Sequence, residues 1–203
     1  MNASASQWIR PPGPVAEGLR IGLLGGSFNP AHQGHLHISK TALQVLGLDY
    51  VWWLVSPQNP LKSARDMASP KERLAGARGV AQHPRIIVTK IEDQLSTAYT
   101  ADALALLLRR FPAPNFIWLM GSDNLVQIPQ WRDWQDIFMM VPVAIVPRPG
   151  TALKSRSGTA AQCFESARAP ADKFFATRRP PSWTIIEARR DPTSATQIRH
   201  LRR

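Results

Sequence analysis

The sequence predicts an α/β fold, an open, doubly wound and mainly parallel sheet with helices on both faces. Three observations lead there. Short runs of Val, Ile, Leu and Trp recur along the chain and are apolar on both sides, as strands buried on both faces must be. Amphipathic or polar stretches of helical length separate them, the alternation expected of a βα-repeating chain. A glycine-rich turn, Gly25-Gly26-Ser27, follows directly on the first apolar run, where open parallel sheets receive their ligands.

Taken in order, residues 19–24 read as the first strand, followed by the turn and a helical pattern over about 35–46. Residues 50–55 are β-branched and aromatic and form a second strand, ended by Ser56-Pro57. A proline-spaced loop runs to Pro70, and a helix then passes through Arg73 and Leu74 to about residue 81. Residues 85–91 make a third strand. A helix over 101–110 stops before Pro112, because the residue before a proline avoids helical geometry. The remaining strands fall at 115–120, 143–146 and 183–187, with helical patterns over 131–139 and from residue 195. No repeat of solenoid period is present.

A chain of 203 residues is long enough for one domain with a real core. We expect that domain to span 19–203, after a disordered tail at 1–18 containing Pro11, Pro12 and Pro14. Residues 150–181 are small, polar and basic with little periodicity, so a long flexible connection is expected there. No run approaches the roughly 18 apolar residues of a membrane helix, so no membrane association is expected. The single cysteine, Cys163, excludes an intrachain disulfide and the usual structural zinc sets. A cytoplasmic protein is the default.

The formal charge of +11 points to an anionic partner. From Arg148 to Arg203 there are twelve Lys or Arg against four Asp or Glu. That stretch has no interleaved aromatic-basic repeat and no nucleic-acid module, so a specific nucleic-acid partner is not expected. Most of these residues read as a solvated surface, and only a few should touch a ligand.

The glycine turn continues into Phe28-Asn29-Pro30-Ala31-His32-Gln33-Gly34-His35. Glycine lets the backbone approach phosphates closely and reach positive φ. His32 and His35 are three apart at a helix start, a spacing that puts both rings on one side. Two imidazoles beside the positive end of a helix make an anion-seeking site. Taken alone a Gly-Gly-Ser turn is weak, and an isolated histidine is usually a surface or core residue, the reading given to His37, His83 and His200. A metal at the histidine pair lacks a third ligand nearby in sequence.

Residues 27–35 resemble the [ST]-F-[DN]-P-x-H-x-G-H signature of the nucleotidylyltransferase superfamily, which joins a nucleoside monophosphate from ATP or CTP to a phosphorylated acceptor. The resemblance implies a Rossmann-like domain with His32 and His35 on the nucleotide phosphates and Gly25, Gly26, Ser27 and Phe28 around them. Ser194-Ala195-Thr196-Gln197-Ile198-Arg199 reads by itself as a capped helix start. It is similar to the superfamily's second signature, [IV]-S-[ST]-T-x-[IL]-R, which implies that Ser194, Thr196 and Arg199 bind ATP phosphates and that Arg199 joins the histidines in catalysis. Thr193 and Ala195 depart from that pattern without touching these three.

Three middle segments resemble the bacterial nicotinate-nucleotide adenylyltransferase family: Ser56-Pro57-Gln58-Asn59-Pro60-Leu61-Lys62, Ser96-Thr97-Ala98-Tyr99-Thr100, and Gly121-Ser122-Asp123-Asn124-Leu125 with Trp131. With the two signatures, the likeness runs nearly the whole chain, from about residue 19 to residue 199. It implies transfer of AMP from ATP to nicotinate mononucleotide, with Mg2+ carried on the ATP. Gly121 and Asp123 would then lie at ATP, and Asn59, Lys62, Tyr99, Thr100, Asp123 and Trp131 at the acceptor. A flat pyridine ring suits stacking on Trp131, and Asp123 suits a ribose hydroxyl. Trp52, Trp53, Trp118 and Trp134 read as core or surface. Arg132 stands where family members often carry another aromatic residue. Enzymes acting on pantetheine phosphate or a polyol phosphate share the chemistry, and a non-catalytic nucleic-acid binder is the rival of another class. Oligomeric state is not readable.

Overall fold

The computed structural model of the chain describes residues 9–57, 67–95, 97–148, 151 and 156–186. Six strands form one sheet: β1 (Arg20–Gly26), β2 (Tyr50–Val55), β3 (Ile86–Thr89), β4 (Asn115–Gly121), β5 (Val143–Val146) and β6 (Trp183–Ile185). Their order is β3-β2-β1-β4-β5-β6, and every neighbouring pair is parallel. The expected doubly wound sheet is therefore present, parallel throughout. Strand order reverses between β1 and β4, which opens a crevice at their carboxyl ends.

The helices are α1 (Gln33–Val45), α2 (Pro70–Val80), α3 (Ile91–Leu95), α4 (Thr100–Arg110), α5 (Ser122–Gln127), α6 (Trp134–Met140) and α7 (Thr159–Cys163). They cover two apolar layers, one on each sheet face. Strand pleating divides β2 between these layers: Trp52 packs in one and Trp53 in the other, both fully buried. Gly25 lies inside β1 rather than after it, and a side chain there would meet the Trp118 ring at 2.4 Å. Packing against that indole is therefore one reason for glycine at this position.

Three expectations change. Residues 9–18 are not detached, since Ile9 and Val15 pack against the core and the Arg10 amide donates to Gln94 Oε1 at 3.3 Å. The described part of 150–181 carries α7 and two 3-10 turns, Glu165–Ala167 and Phe175–Thr177, and buries Phe164 and Phe175. Its apolar residues are too sparse to show a period, yet Phe164 and Phe175 pack while Phe174 stays exposed. Helix α6 begins three residues later than expected, because Asp133 takes a left-handed conformation with φ 51 just before it. The helix expected from residue 195 lies outside the described residues.

Sheet and helix are joined beneath the glycine turn by one polar relay. Trp53 Nε1 donates to Ser39 Oγ at 2.7 Å, and Ser39 Oγ donates to the His35 carbonyl at 2.9 Å. Ser39 is wholly buried, so its removal leaves an indole N–H without a partner. Ser39→Ala is expected to cost about 1–3 kcal/mol, read from the urea midpoint, with turnover little affected at temperatures where the variant is folded. An unchanged midpoint would show that water substitutes for the hydroxyl.

Candidate active site

Because all strands are parallel, β1, β2, β4 and β5 end on one edge of the sheet, with Gly26 beside Val55 and Gly121 beside Val146. The segments leaving β1, β4 and β5 carry several of the candidate site residues. After β1 the chain turns through Phe28, whose φ is 47, and a cis Asn29–Pro30 peptide. The left-handed residue is thus Phe28, while neither Gly25 nor Gly26 has positive φ. Phe28 is buried and stacks on Trp53 with ring centroids 5.0 Å apart, a contact that holds this conformation in place.

His32 is the N-cap of α1, and His35 is its third residue. The Gly34 amide donates to His32 Nδ1 at 3.1 Å, and the His32 amide donates to His35 Nδ1 at 3.2 Å. This is a capping box built from two imidazoles. A ring nitrogen that accepts must keep its lone pair, so each neutral ring carries its proton on Nε2. The rings sit 3.9 Å apart, one buried and one half-buried. The pair therefore presents N–H donors suited to phosphate oxygens at a helix N-terminus. A cation would need the lone pairs that this arrangement has protonated, so the geometry fits an anion.

Asp123 is the second residue of α5, immediately after β4. Its Oδ2 lies 3.3 Å from Arg148 Nη1, whereas Oδ1 is buried with no hydrogen-bond partner among the described residues. An unmatched carboxylate oxygen at the crevice is ready to accept from a hydroxyl-bearing ligand. Gly121 leaves space for both groups, because a side chain there would meet Asp123 Oδ1 at 2.3 Å. Arg148, which the sequence reading did not single out, extends the β5 end into this cluster. Its amide donates to Ser122 Oγ at 2.8 Å.

The third group lies at the start of α4. Tyr99 is the N-cap, exposed, with the Arg132 guanidinium 4.0 Å from its ring centroid. Arg132 also pairs with Asp102 at 2.9 Å and Asp133 at 3.1 Å. Tyr99, Asp102 and Arg132, together with Leu95, Thr97 and Ala98, line an open cleft of ≈ 530 Å³. Thr100 opens α4 and is half-buried. Trp131 is half-buried and packs on the core, so only part of its ring is available for stacking. Asn59, Lys62, Ser194, Thr196 and Arg199 lie outside the described residues. Among the described residues no group of three or more His, Cys, Asp or Glu is placed to hold a metal ion, and no helix is long and apolar enough to cross a membrane.

Two buried ionisable residues went unnoticed in the sequence. Arg73 donates to four main-chain carbonyls around the site. Glu92 is buried in α3 and shares a hydrogen bond with the Ser56 side chain. The available signal was position: each occupies an inward place on a short helix beside apolar neighbours.

This architecture is that of a nucleotide-activating transferase, and the chain belongs to the cytidylyltransferase-like family, which it matches over residues 23–201. Within that class it groups with the nicotinate-nucleotide adenylyltransferases. A relative from Parvibaculum lavamentivorans is 50% identical over 187 residues, covering 91% of this chain and 93% of its own. Another, from Methylorubrum extorquens, is 50% identical over 89% of this chain and 99% of its own. Both are named probable nicotinate-nucleotide adenylyltransferase. In fold, the chain is similar to the nicotinic acid mononucleotide adenylyltransferase of Plasmodium falciparum solved with NaAD. That likeness has a TM-score of 0.64 at 15% identity and covers 90% of this chain and 83% of the other.

Burial raises the Glu92 carboxyl from an ordinary 4.5 to about 7; the Ser56 hydrogen bond opposes the rise, and the Asp93 charge adds to it. Between these two values the folded protein holds more protons than the unfolded chain. Stability therefore falls as pH climbs from about 4.5 to about 7 and levels off above that range. The full span is on the order of 3 kcal/mol. Glu92→Gln should flatten this part of the profile in chemical denaturation across the range. Parallel profiles for the two proteins would contradict the assignment.

Proposed function

We propose that the chain transfers AMP from ATP to nicotinate mononucleotide, forming deamido-NAD and pyrophosphate, and that it does so in the cytoplasm. The observation that carries this reading is the pair of imidazoles at the start of α1, each held through Nδ1 by a main-chain amide so that Nε2 carries the N–H. The names of the relatives support the choice of acceptor, and the unmatched oxygen of Asp123 supports a ribose-bearing ligand.

A phosphate oxygen of the acceptor attacks the α-phosphorus of ATP as the bond to the β-phosphate oxygen breaks and pyrophosphate leaves. The nucleophile is already ionised at neutral pH, so no general base is required. Catalysis then rests on alignment and on donors aimed at developing charge. His32 and His35 supply two such donors, with Gly25, Gly26, Ser27 and Phe28 shaping the turn that carries them. Ser194, Thr196 and Arg199 would hold the departing pyrophosphate, with Lys62 and Asn59 near the acceptor. ATP would enter as its magnesium complex, the cation being held by phosphate oxygens and water.

Tyr99, Thr100, Trp131 and Asp123 would receive the acceptor. The Arg132 guanidinium over Tyr99 already occupies one face of that ring, so stacking of the pyridine would fall to the accessible part of Trp131.

Pyrophosphate release is the direct test. The protein should turn over ATP with nicotinate mononucleotide and be at least tenfold slower with pantetheine phosphate or a polyol phosphate as acceptor. Comparable rates with all of them would defeat the assignment. His35→Ala should lower turnover by about 10²–10³-fold, the usual loss when one oxyanion donor is removed. It should also lose roughly 1 kcal/mol of stability with its share of the cap. Turnover near that of the wild type would show that the histidine pair is not the site.

A further inference from the structure

Arg73 lies one turn into α2 and is only 2% exposed. Its stem is placed by the start of that helix. Ser69 Oγ accepts from the Glu72 amide at 3.3 Å, the Glu72 carboxylate accepts from the Ser69 amide at 2.9 Å, and Pro70 opens the first turn. From there the guanidinium spreads over four carbonyls. Nη1 donates to Ser27 O at 2.8 Å and Ser56 O at 2.7 Å, Nη2 to Pro57 O at 2.7 Å, and Nε to Ala68 O at 3.2 Å. No carboxylate lies within ion-pair distance of it among the described residues. Burying a cation without a close counterion is costly; burial lowers its pKa, the more distant Asp93 charge opposes that shift, and the carbonyl dipoles take up its N–H groups.

The carbonyls belong to different segments. Ser27 begins the turn that delivers the histidine pair, Ser56 and Pro57 begin the segment leaving β2, and Ala68 precedes α2. Beyond the sheet ladder, the Ser56 amide also donates to Gly26 O at 3.0 Å. A planar fork with five donors can satisfy such a set at once, whereas an ammonium with three donors on a flexible stem cannot.

We infer that Arg73 is a positioning residue that locks the histidine turn after β1 to the acceptor-side segment after β2, holding the two halves of the transfer site in register. The inference builds on the functional reading above, and its kinetic arm uses the same assay. Arg73 touches neither substrate, so its contribution is to geometry alone, where a misplacement of about 1 Å costs on the order of 100-fold in rate.

The experiment compares wild type, Arg73→Lys and Arg73→Ala by steady-state pyrophosphate release, thermal melting and amide hydrogen exchange of the apo protein. Arg73→Ala should lose about 100-fold in kcat, with much smaller changes in KM for either substrate. Arg73→Lys, though still charged, should recover less than a tenth of the wild-type kcat. Added methylguanidinium should restore at least tenfold of the loss in Arg73→Ala without raising its melting temperature. Exchange at the Ser56 amide and through residues 26–28 should quicken in both variants. A kcat within threefold of wild type in Arg73→Lys would overturn the inference. So would a loss in Arg73→Ala that tracks melting temperature and resists methylguanidinium. If Arg73→Ala does not fold, the kcat and exchange of Arg73→Lys decide the matter. If the wild type releases no pyrophosphate with these substrates, the functional reading fails by itself. Exchange then decides the role of Arg73, and unchanged protection in both segments overturns it.

Discussion

Every functional feature of this protein depends on the parallel alignment of its strands. Parallel pairing sends β1, β2, β4 and β5 out on the same edge, and the reversal of strand order between β1 and β4 parts the chain there. The segments that leave those ends then have no choice but to meet. Trp52 and Trp53 fill the two faces beneath them, so the crevice stands on a densely packed floor. A one-residue slip of β2 would exchange the two tryptophans between faces and detach the Trp53–Ser39–His35 relay that ties the floor to α1.

Above that floor, polar groups are satisfied through the main chain more than through ion pairs. The histidines accept from amides, Arg73 donates to carbonyls, and Ser122 accepts from the Arg148 amide. Such contacts fix backbone and side chain together, which charge pairing at an exposed surface does not achieve. The strong positive charge of the chain thus contributes little to the described architecture.

The sheet and the histidine turn were legible because both depend on local pattern. Apolar runs, breakers and a nine-residue signature are contiguous in sequence, so the alternation of strand and helix and the placement of His32 and His35 at a helix start follow from short stretches. The glycines were misjudged in part. Gly25 accommodates the Trp118 ring, and the left-handed conformation falls on Phe28, a choice made by stacking on Trp53 that no local rule anticipates. Arg73, Glu92 and Arg148 were not legible, because their partners are distant in sequence: 16 to 46 residues for three carbonyls of Arg73 and 25 for Arg148 and Asp123. The segment over 156–177 looked structureless for a related reason: Phe164 and Phe175 pack through tertiary contact without helical period.

The imidazole capping box also bears on how tightly a ligand can be held. Two side chains that would otherwise sample several rotamers are immobilised by amides of their own helix, so their ordering is completed when the protein folds. Under the proposed function, an incoming triphosphate would meet donors already ordered by the fold. The rings are also set in one tautomer before contact, which spares the encounter a proton rearrangement. Helix nucleation and ligand readiness are in this protein a single event.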